Sequence, residues 1–388
     1  MGNRPSQRAD PTMVIDLTRD LVRLDSCNPP GHERDCARLV GAQLESAGFI
    51  VTFYEFAEGR TSLIARAGGN GVQRPLCLTG HLDVVPTGTQ PWERDPFAGE
   101  LDGERIHGRG TSDMKAGVAA MVVAAVNAAP RLAGSPGLTL VLTAGEETGC
   151  EGALDLARRG VLGHAGAMVV GEPTSNQAYV GHKGCFRFHC VARGITAHSS
   201  MPELGDNAIY KAARAIAALE RFDFADLHHP IMGHPTLVVS QMQAGMNINS
   251  VPDRAVIGVD IRTVPGQDTT SLRSRLHATL GPEIELEPLI ELPSVFTSAA
   301  NDWVQTVFER AREIAGAVPS TRTAPYFTDA AVLGPAYGAP PTVILGPGEP
   351  HLAHQTNEHC VRSRIDEAVE LYERLIDDWM RAPAALSD

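Results

Sequence analysis

Apolar runs typical of buried strands alternate with helical segments in the first and last parts of the chain. Nearly continuous apolar runs cover residues 76–79, 138–143, 167–170 and 342–345. Helical patterns cover residues 13–24, 34–47, 116–129, 152–159 and 364–380. Because such apolar runs are typical of strands covered on both faces, the pattern predicts an α/β fold, with a mixed, mainly parallel sheet flanked by helices.

The middle of the chain has a different order of elements. It predicts, in order, a strand at 185–193, a helix at 206–221, strands at 236–243 and 255–262, a helix at 269–280 and a strand at 284–291. This β-α-β-β-α-β order is the ferredoxin-like pattern of a self-contained α+β unit. We therefore expect two domains, one formed by residues 1–181 and 293–388 and one by residues 182–292, inserted into the first.

Composition places the chain among ordinary globular proteins and excludes several classes of function. Of the 388 residues, 43% are hydrophobic and 20% are charged, which excludes a disordered or low-complexity protein. The net charge is −13 and no basic run is present, so we expect no nucleic-acid partner. The most apolar stretch, residues 118–126, is too short to span a bilayer, so we expect no membrane partner.

Cysteine usage and the N-terminal residues both favour a reducing compartment. The seven cysteines are scattered and include no CxxC pair, which argues against a disulfide scaffold or a thiolate zinc site. The first twelve residues contain no apolar segment of the kind that a secretory signal requires. We therefore expect a cytoplasmic location.

Histidine and acidic residues follow the predicted buried strands of the outer segments or precede the helix at 116–129. In chain order they are His81, Asp83, Asp113, Glu146, Glu147, Glu172, His351 and His354. Ligands of open α/β sheets bind beyond the carboxyl ends of the strands, and carboxylates packed there repel one another unless cations neutralise them. A single His-x-Asp or Glu-Glu pair is more often part of a solvated surface or a local helix cap than of a functional site. Together they predict one or two divalent metals, and ligands without cysteine suit zinc, cobalt or manganese.

Five ordered motifs carry a family resemblance. They are GHLDVVP at 80–86, GRGTSDMK at 108–115, EE at 146–147, GEPT at 171–174 and His354. Over nearly its whole length the chain resembles the M20 metallopeptidase family, in particular its acetylornithine deacetylase and succinyl-diaminopimelate desuccinylase branch. The resemblance implies a catalytic domain with two metals and an inserted dimerisation, or lid, domain, and hence a homodimer.

The resemblance also implies which residues hold the metals. His81, Asp113 and Glu172 would hold one ion, while Asp113, Glu147 and His354 would hold the second, with Asp113 as the bridge. The two ions would be divalent and most simply Zn²⁺, with Co²⁺ or Mn²⁺ as substitutes.

Two further motif residues would serve the chemistry. Asp83 would orient His81 through its second ring nitrogen, as metal-bound histidines generally require. Glu146 would act as general base on a water between the metals, which attacks the amide carbon, and would later pass the proton to the leaving amine. In this family the peptide bond after the bridging aspartate is usually cis, so we expect a cis bond between Asp113 and Met114.

Two residues of the inserted domain match positions that contact the substrate. His198, in TAHS at 196–199, would donate to the oxyanion and reach across the dimer into the partner's site. The alternative is a surface histidine in a loop. Arg262 would pair with the substrate α-carboxylate in bidentate fashion, and its alternative is a salt bridge to Asp260 or Asp253.

Loop positions complete the expected site. Asn249 matches an asparagine in a family loop that precedes Val-Pro. Thr328, in YFTDA at 326–330, lies in a stretch that resembles a loop lining the acyl pocket, as does GPG at 346–348. Asn357 and Glu358 match a family pattern, and we interpret the pair as support for the loop that carries His354. His351 is expected to be a loop residue rather than a ligand.

The expected reaction is hydrolysis of the linear amide bond of an N-acyl-L-amino acid, which releases a carboxylate and a free amino acid. A glutamate rather than an aspartate at position 172 makes the chain resemble the deacylases of the family more than its di- and tripeptidases. Residues 325–331 depart from the pattern of strict succinyl-diaminopimelate desuccinylases, so the acyl group and the side chain stay open. The alternatives are a metallo-dipeptidase or carboxypeptidase of the same family and, with less support because every ligand position is filled, a non-catalytic homologue that binds amino-acid derivatives.

Overall fold

A computed structural model describes residues 12–225 and 227–381 of the chain. Contacts between residues divide it into two units. The first takes the described residues of Met1–Gly181, Phe296–Arg322 and Thr328–Asp388, and the second takes those of His182–Val295 and Thr323–Phe327. The second unit thus extends slightly beyond the expected range of 182–292. Eleven of the twelve N-terminal residues that bear on the expected location lie outside the described residues, and that location stays a prediction.

The helices and strands follow one another along the chain within these bounds. The α-helices of the described residues are α1 (Met13–Arg23), α2 (Arg34–Ser46), α3 (Ala116–Ala128), α4 (Glu151–Arg159), α5 (Ala208–Glu220), α6 (Thr269–Leu280), α7 (Asp302–Ala315), α8 (Ala330–Ala336) and α9 (Arg362–Arg381). The strands are β1 (Ile50–Ala57), β2 (Arg60–Ala67), β3 (Leu76–His81), β4 (Glu100–Asp102), β5 (Arg105–His107), β6 (Leu138–Thr143), β7 (Ala167–Val170), β8 (Tyr179–His182), β9 (Gly184–Arg193), β10 (Thr236–Ala244), β11 (Arg254–Thr263), β12 (Ile284–Leu292), β13 (Val295–Phe296), β14 (Arg322–Ala324), β15 (Thr342–Ile344) and β16 (His359–Val361).

The large sheet of the first unit has a parallel centre. Its order is β1-β2-β6-β3-β7-β15-β8, in which β6, β3, β7 and β15 run parallel while β1, β2 and β8 pair antiparallel. Every residue of the four parallel strands is buried, which explains their continuous apolar runs. The predicted mixed, mainly parallel sheet flanked by helices is confirmed.

Helix α3 lies in the core of the first unit and consists mainly of small apolar residues. Its Ala, Val and Met side chains share one apolar core with those of α1, α7 and α9. A Cβ atom built on Gly117 would overlap the carbonyl oxygen of Gly171, which directly follows β7. Close approach of α3 to the end of β7 therefore requires glycine at position 117.

The second unit has the predicted ferredoxin-like architecture. Its antiparallel sheet has the order β10-β11-β9-β12, and α5 and α6 pack on it through an apolar core that includes Phe186, Phe188 and Ile257. Helix α5 begins at Ala208 because the side chain of Asn207 caps the helix by accepting the backbone N–H of Ile209. The predicted α+β fold of this unit is confirmed.

The cysteines and the helices of the described residues bear on two expectations from the sequence. All seven cysteines are free thiols. Within residues 12–225 and 227–381, no helix combines the length and the apolar character needed to cross a membrane.

Candidate metal centre

The predicted ligands of the first unit meet at the carboxyl ends of the parallel strands. His81 ends β3, the Glu146–Glu147 pair follows β6, and Glu172 follows β7. Asp113 lies in the turn just before α3, and the loop after β15 carries a sixth member, His354. Because these strands are parallel neighbours, residues far apart in the sequence reach one edge of the sheet.

Asp113 faces both histidines of the centre, each with a different oxygen. Its Oδ1 lies 3.0 Å from Nε2 of His81, and its Oδ2 lies 3.4 Å from Nε2 of His354. Beside His81, Oε1 of Glu172 is 3.7 Å from the same Nε2, and beside His354, Oε1 of Glu147 is 3.0 Å away. Two groups of three side chains therefore share Asp113.

Side-chain atoms that could coordinate a metal ion lie close together in two overlapping sets of three residues. Those of His81, Asp113 and Glu147 lie within 4.8 Å of one another, and so do those of His81, Glu146 and Glu172. The buried Oε1 of Glu146 has no hydrogen-bond partner among the residues that the structure describes. A carboxylate oxygen without a donor is available to a proton or a ligand.

Asp83 holds two parts of the centre with different atoms. Its backbone oxygen lies 2.9 Å from Nδ1 of His81, closer than its Oδ1 at 3.5 Å. The carboxylate instead accepts the backbone N–H groups of Glu146 and Glu147, each at 3.1 Å. His81 is therefore oriented chiefly through the backbone carbonyl of Asp83. The carboxylate of Asp83 instead positions the Glu146–Glu147 turn.

Glu358 organises the loop that carries Asp113. Its Oε1 accepts the backbone N–H groups of Ser112 at 2.8 Å and Asp113 at 3.0 Å, and its Oε2 accepts that of Gly110 at 2.9 Å. Arg109 donates to the same Oε2 at 2.5 Å, and both side chains of this ion pair are buried. The peptide bond between Asp113 and Met114 is cis, as expected. Glu358 thus supports the Asp113 loop, whereas its predicted role concerned the His354 loop.

Crowded negative charge governs the electrostatics of the centre. Burial raises the pKa of Glu146 well above its usual range, and the charge of Glu172 raises it further. Burial lowers the pKa of His81, but hydrogen bonds to Asp113 and Asp83 outweigh it, so that the pKa lies well above its usual range. Hydrogen bonds to Asp113 and Glu147 raise the pKa of His354 to about 10.

These shifts test whether metal ions fit the centre. The buried carboxylates draw protons onto both histidines and onto each other, which means that the site has a deficit of positive charge. Divalent cations would supply that charge, and histidine nitrogens with carboxylate oxygens are a donor set of the kind that zinc, cobalt and manganese accept. The donor set of these side chains therefore fits divalent metal ions.

Comparison with known proteins assigns the family. Residues 77–378 match the sequence profile of Peptidase family M20/M25/M40. The chain belongs to this family. It is 28% identical over 403 aligned positions to a protein of Staphylococcus epidermidis named "Probable succinyl-diaminopimelate desuccinylase", and the alignment covers 94% of this chain and 97% of that protein.

Solved structures of M20 proteins share the fold. A metallo-carboxypeptidase of family M20 from Sulfolobus solfataricus superposes with a TM-score of 0.78 at 20% identity, over 95% of this chain and 99% of that one. A dinuclear metal-binding peptidase of family M20 from Bacillus subtilis superposes with a TM-score of 0.73 at 17% identity, over 96% of this chain and 99% of that one. At these identities the likeness concerns the fold.

Two of the predicted M20 substrate residues lie in adjacent loops of the second unit. His198 is an exposed residue of its loop, and its Nδ1 accepts the backbone N–H of Ser200 at 3.1 Å. Ser199 donates its backbone N–H to the carbonyl of Asn249 at 3.0 Å, so the unit brings the His198 and Asn249 loops together. Their contact with a substrate stays a prediction.

Arg262 makes the salt bridge that was its alternative interpretation. Its Nε lies 2.8 Å from Oδ1 of Asp260, and the ring of Phe327 lies 6.0 Å from its guanidinium carbon. Within the described part of the chain, its buried Nη1 nevertheless has no hydrogen-bond partner. One edge of the guanidinium therefore stays available to a carboxylate.

Thr328 and its neighbour Asp329 are fully buried in the first unit. The hydroxyl of Thr328 accepts the backbone N–H of Ala330, the first residue of α8, at 3.2 Å. Asp329 accepts the hydroxyl of Thr143 at the end of β6. A substrate contact of Thr328 stays a prediction. Asp329 belongs to the same YFTDA motif, but the sequence assigns no role to its carboxylate.

The link between the N-terminal segment and the centre is not evident from the sequence. Asn28 hydrogen-bonds to Asp83 and to Thr148, which lie 55 and 120 positions away along the chain. No periodicity or family motif covers these separations. The one local signal is the Asn-Pro-Pro-Gly turn that Asn28 begins.

Proposed function

We propose that this M20 protein is a dimetal amidohydrolase that releases a free amino acid and a carboxylate from an N-acyl-L-amino acid. The observation that supports it most is the placement of Asp113, whose two oxygens face His81 and His354 separately. In this proposal Glu172 completes the ligands on the His81 side and Glu147 those on the His354 side. When bound, the metal pair polarises the scissile carbonyl and lowers the pKa of an attacking water.

Glu146 is the general base of the proposed reaction. It lies beside His81 and Glu172, it is buried, and one of its oxygens has no hydrogen-bond partner within residues 12–225 and 227–381. Its carboxylate takes a proton from the attacking water and returns that proton to the nitrogen of the leaving amine. Asp83 keeps the backbone of this residue in place during both transfers.

The second unit supplies three of the proposed substrate contacts, and the first unit supplies Thr328. The free edge of Arg262 suits the α-carboxylate of an amino acid, which a guanidinium binds in bidentate fashion. His198 donates to the oxyanion of the tetrahedral intermediate, and Asn249 and Thr328 contact the substrate beside it. The name of the Staphylococcus epidermidis relative favours an N-succinyl substrate within the N-acyl class.

A homodimer through the second unit is part of this proposal. Strand β10 is an edge strand whose side chains Val238 and Met242 are 55% and 45% exposed. Exposed apolar side chains on an unpaired edge favour association with a second copy. Light scattering of the purified protein measures whether it is dimeric.

The decisive experiment is a substrate panel with the protein loaded with Zn²⁺ or Co²⁺. N-acetyl, N-succinyl and N-formyl amino acids and dipeptides are offered, and the released amine is measured. We expect amine from an N-acyl amino acid, no amine after treatment with a chelator, and no turnover by Glu146→Gln although its metal content is retained. Release from dipeptides alone would instead identify a peptidase, and full activity of metal-free protein would exclude the dimetal mechanism.

A further inference from the structure

Asn28 connects the N-terminal segment to the candidate metal centre and lies outside the residues that match the M20 profile. It is 2% exposed, and its Nδ2 donates to Oδ2 of Asp83 at 2.8 Å and to Oγ1 of Thr148 at 2.9 Å. A side-chain amide has two N–H donors, so these two bonds use both. The two acceptors therefore fix the orientation of the amide.

The backbone around Asn28 is fixed against the Asp83 segment as well. The backbone N–H of Asn28 donates to the carbonyl of Val84 at 2.8 Å, and that of Val84 donates to the carbonyl of Ser26 at 3.1 Å. The Ser26 hydroxyl donates to the carbonyl of Leu82 at 2.7 Å. Residues 26–28 thus run beside residues 82–84 as a short parallel pair, which holds the amide at a constant distance from Asp83.

The hydrogen bonds continue beyond Thr148 to a buried ion pair. The hydroxyl of Thr148 donates to Oε2 of Glu151 at 2.7 Å, and the same oxygen accepts from Arg60 at 3.1 Å. Arg60 also pairs with the fully buried Glu33 at 3.0 Å. Thr148 follows Glu147 directly, so this chain anchors the far end of the Glu146–Glu147 turn.

The chemistry of the amide suits the position. The carboxylate of Asp83 accepts the backbone N–H groups of Glu146 and Glu147, so a shift of this carboxylate moves both residues. A lysine at position 28 would neutralise Asp83 and weaken its charge near His81. The Asn28 amide satisfies the carboxylate without adding charge.

We infer that Asn28 is a positioning residue, which sets the place of Asp83 and through it the places of Glu146 and Glu147. The inference rests on the proposed function for its effect on turnover. Residues that hold metal ligands from outside change metal affinity or activity by roughly 10–100-fold when they are replaced. Loss of the Asn28 amide is therefore expected to weaken both.

The variants Asn28→Asp and Asn28→Ala separate this role from simple packing. Aspartate has the size of asparagine, but it removes the donor and places a second carboxylate against Asp83. Alanine leaves a cavity and adds no charge. A positioning amide makes Asn28→Asp the more damaging change, whereas a packing role makes Asn28→Ala the more damaging one. Asn127→Asp is the matched control, because Asn127 donates to Glu373 at 2.6 Å at the opposite end of α3 from Asp113.

Two measurements are made on each folded variant. The metal-free protein is titrated with Co²⁺ by visible absorption, and kcat and KM are measured with the amide that the panel identifies. We expect Asn28→Asp to lose about tenfold or more in Co²⁺ affinity or kcat, with KM within about twofold. Asn28→Ala loses less, and Asn127→Asp behaves as the unaltered protein.

Each possible outcome bears on the inference. If Asn28→Asp does not fold, Thr148→Val replaces it, because that change removes one acceptor of the amide and keeps the volume. Unchanged Co²⁺ binding and kcat in the folded position-28 variants and Thr148→Val would overturn the inference, and so would greater damage by Asn28→Ala. Failure of the unaltered protein to bind Co²⁺ or release amine would refute the proposed function instead.

Discussion

Oε1 of Glu358 accepts the backbone N–H of Asp113 at 3.0 Å, although 245 positions separate the two residues in the chain. The carboxylate also takes two other backbone N–H groups and the buried guanidinium of Arg109. A buried carboxylate with this many donors fixes the loop only while it is charged. The bond therefore makes the stability of the Asp113 loop depend on a residue of the last tenth of the chain.

We expect Glu358→Gln to destabilise the protein by about 3–5 kcal/mol, because the change leaves the Arg109 charge buried and unpaired. Urea unfolding of the metal-free protein measures the free energy. Glu313→Gln, which removes an exposed partner of Arg310, is the control and is expected to change the free energy by less than about 1 kcal/mol. Equal effects of the two substitutions would contradict the structural importance of Glu358.

Replacement of Asp113 is expected to affect both metal positions, and replacement of His354 only one. After dialysis against a limiting chelator, Asp113→Ala should retain neither ion, because each of its oxygens faces a different histidine. His354→Ala should retain about one ion per chain, held on the His81 side. Metal analysis by mass spectrometry gives both values, and two ions retained by Asp113→Ala would refute its bridging role.

Gly117→Ala is expected to destabilise the protein by about 1–3 kcal/mol even though alanine is the better helix former. The added methyl group would overlap the carbonyl of Gly171, a backbone atom that cannot rotate away. Gly41→Ala in α2 is the control: its Cβ would meet the ring of Phe53, a 40% exposed side chain that can move aside, and we expect a change of less than about 1 kcal/mol. Thermal unfolding of both variants tests the pair, and a neutral Gly117→Ala would refute the close approach of α3.

The buried carboxyl of Asp329 predicts a dependence of stability on pH. Burial raises its pKa from 3.8 to about 6, although the hydrogen bond from Thr143 acts in the opposite direction and lowers the pKa. Ionisation therefore disfavours the folded state, with no penalty well below pH 3.8 and the full penalty above about pH 6, on the order of 3 kcal/mol. In metal-free protein, Asp329→Asn should gain stability over the unaltered chain as the pH rises through this interval. A difference that stays constant across the interval would contradict the prediction.

The cross-dimer role of His198 can be tested by complementation. Chains with His198→Ala and chains with Glu146→Gln are each expected to be inactive alone. If His198 acts in the partner's site, each mixed dimer regains one working site, because one chain supplies Glu146 and the other His198. Activity is measured after subunit exchange has been verified by mass spectrometry, and no recovery would place His198 in the site of its own chain.

Sequence patterns predicted the parts of the fold that rest on strong local periodicity. The parallel strands and α3 were predictable because full burial leaves nearly continuous apolar runs. Strands β1 and β2 were not predicted. Strand β1 is largely exposed and forms the edge of the sheet, so its residues carry little of the apolar signal that marks a buried strand.

The candidate site was predictable where its residues stand directly after strands or belong to long motifs. His81 and Glu172 are examples of the first kind, since strand ends converge at one edge of a parallel sheet. Asn28 and the carboxylate of Asp83 show the limit. Their contact depends on how a loop near the N-terminus folds over the sheet, and such tertiary contacts leave no periodic trace in the sequence.

The discontinuity of the first unit has a consequence during synthesis on the ribosome. A nascent chain that has reached Glu172 already holds His81, Asp113 and the Glu146–Glu147 pair, whereas His354 and Glu358 are still to be translated. Until they emerge, Asp113 lacks both the residue that fixes its loop and the histidine that faces its second oxygen. Translation of the entire second unit, which lies between them, must therefore be complete before the metal centre can close.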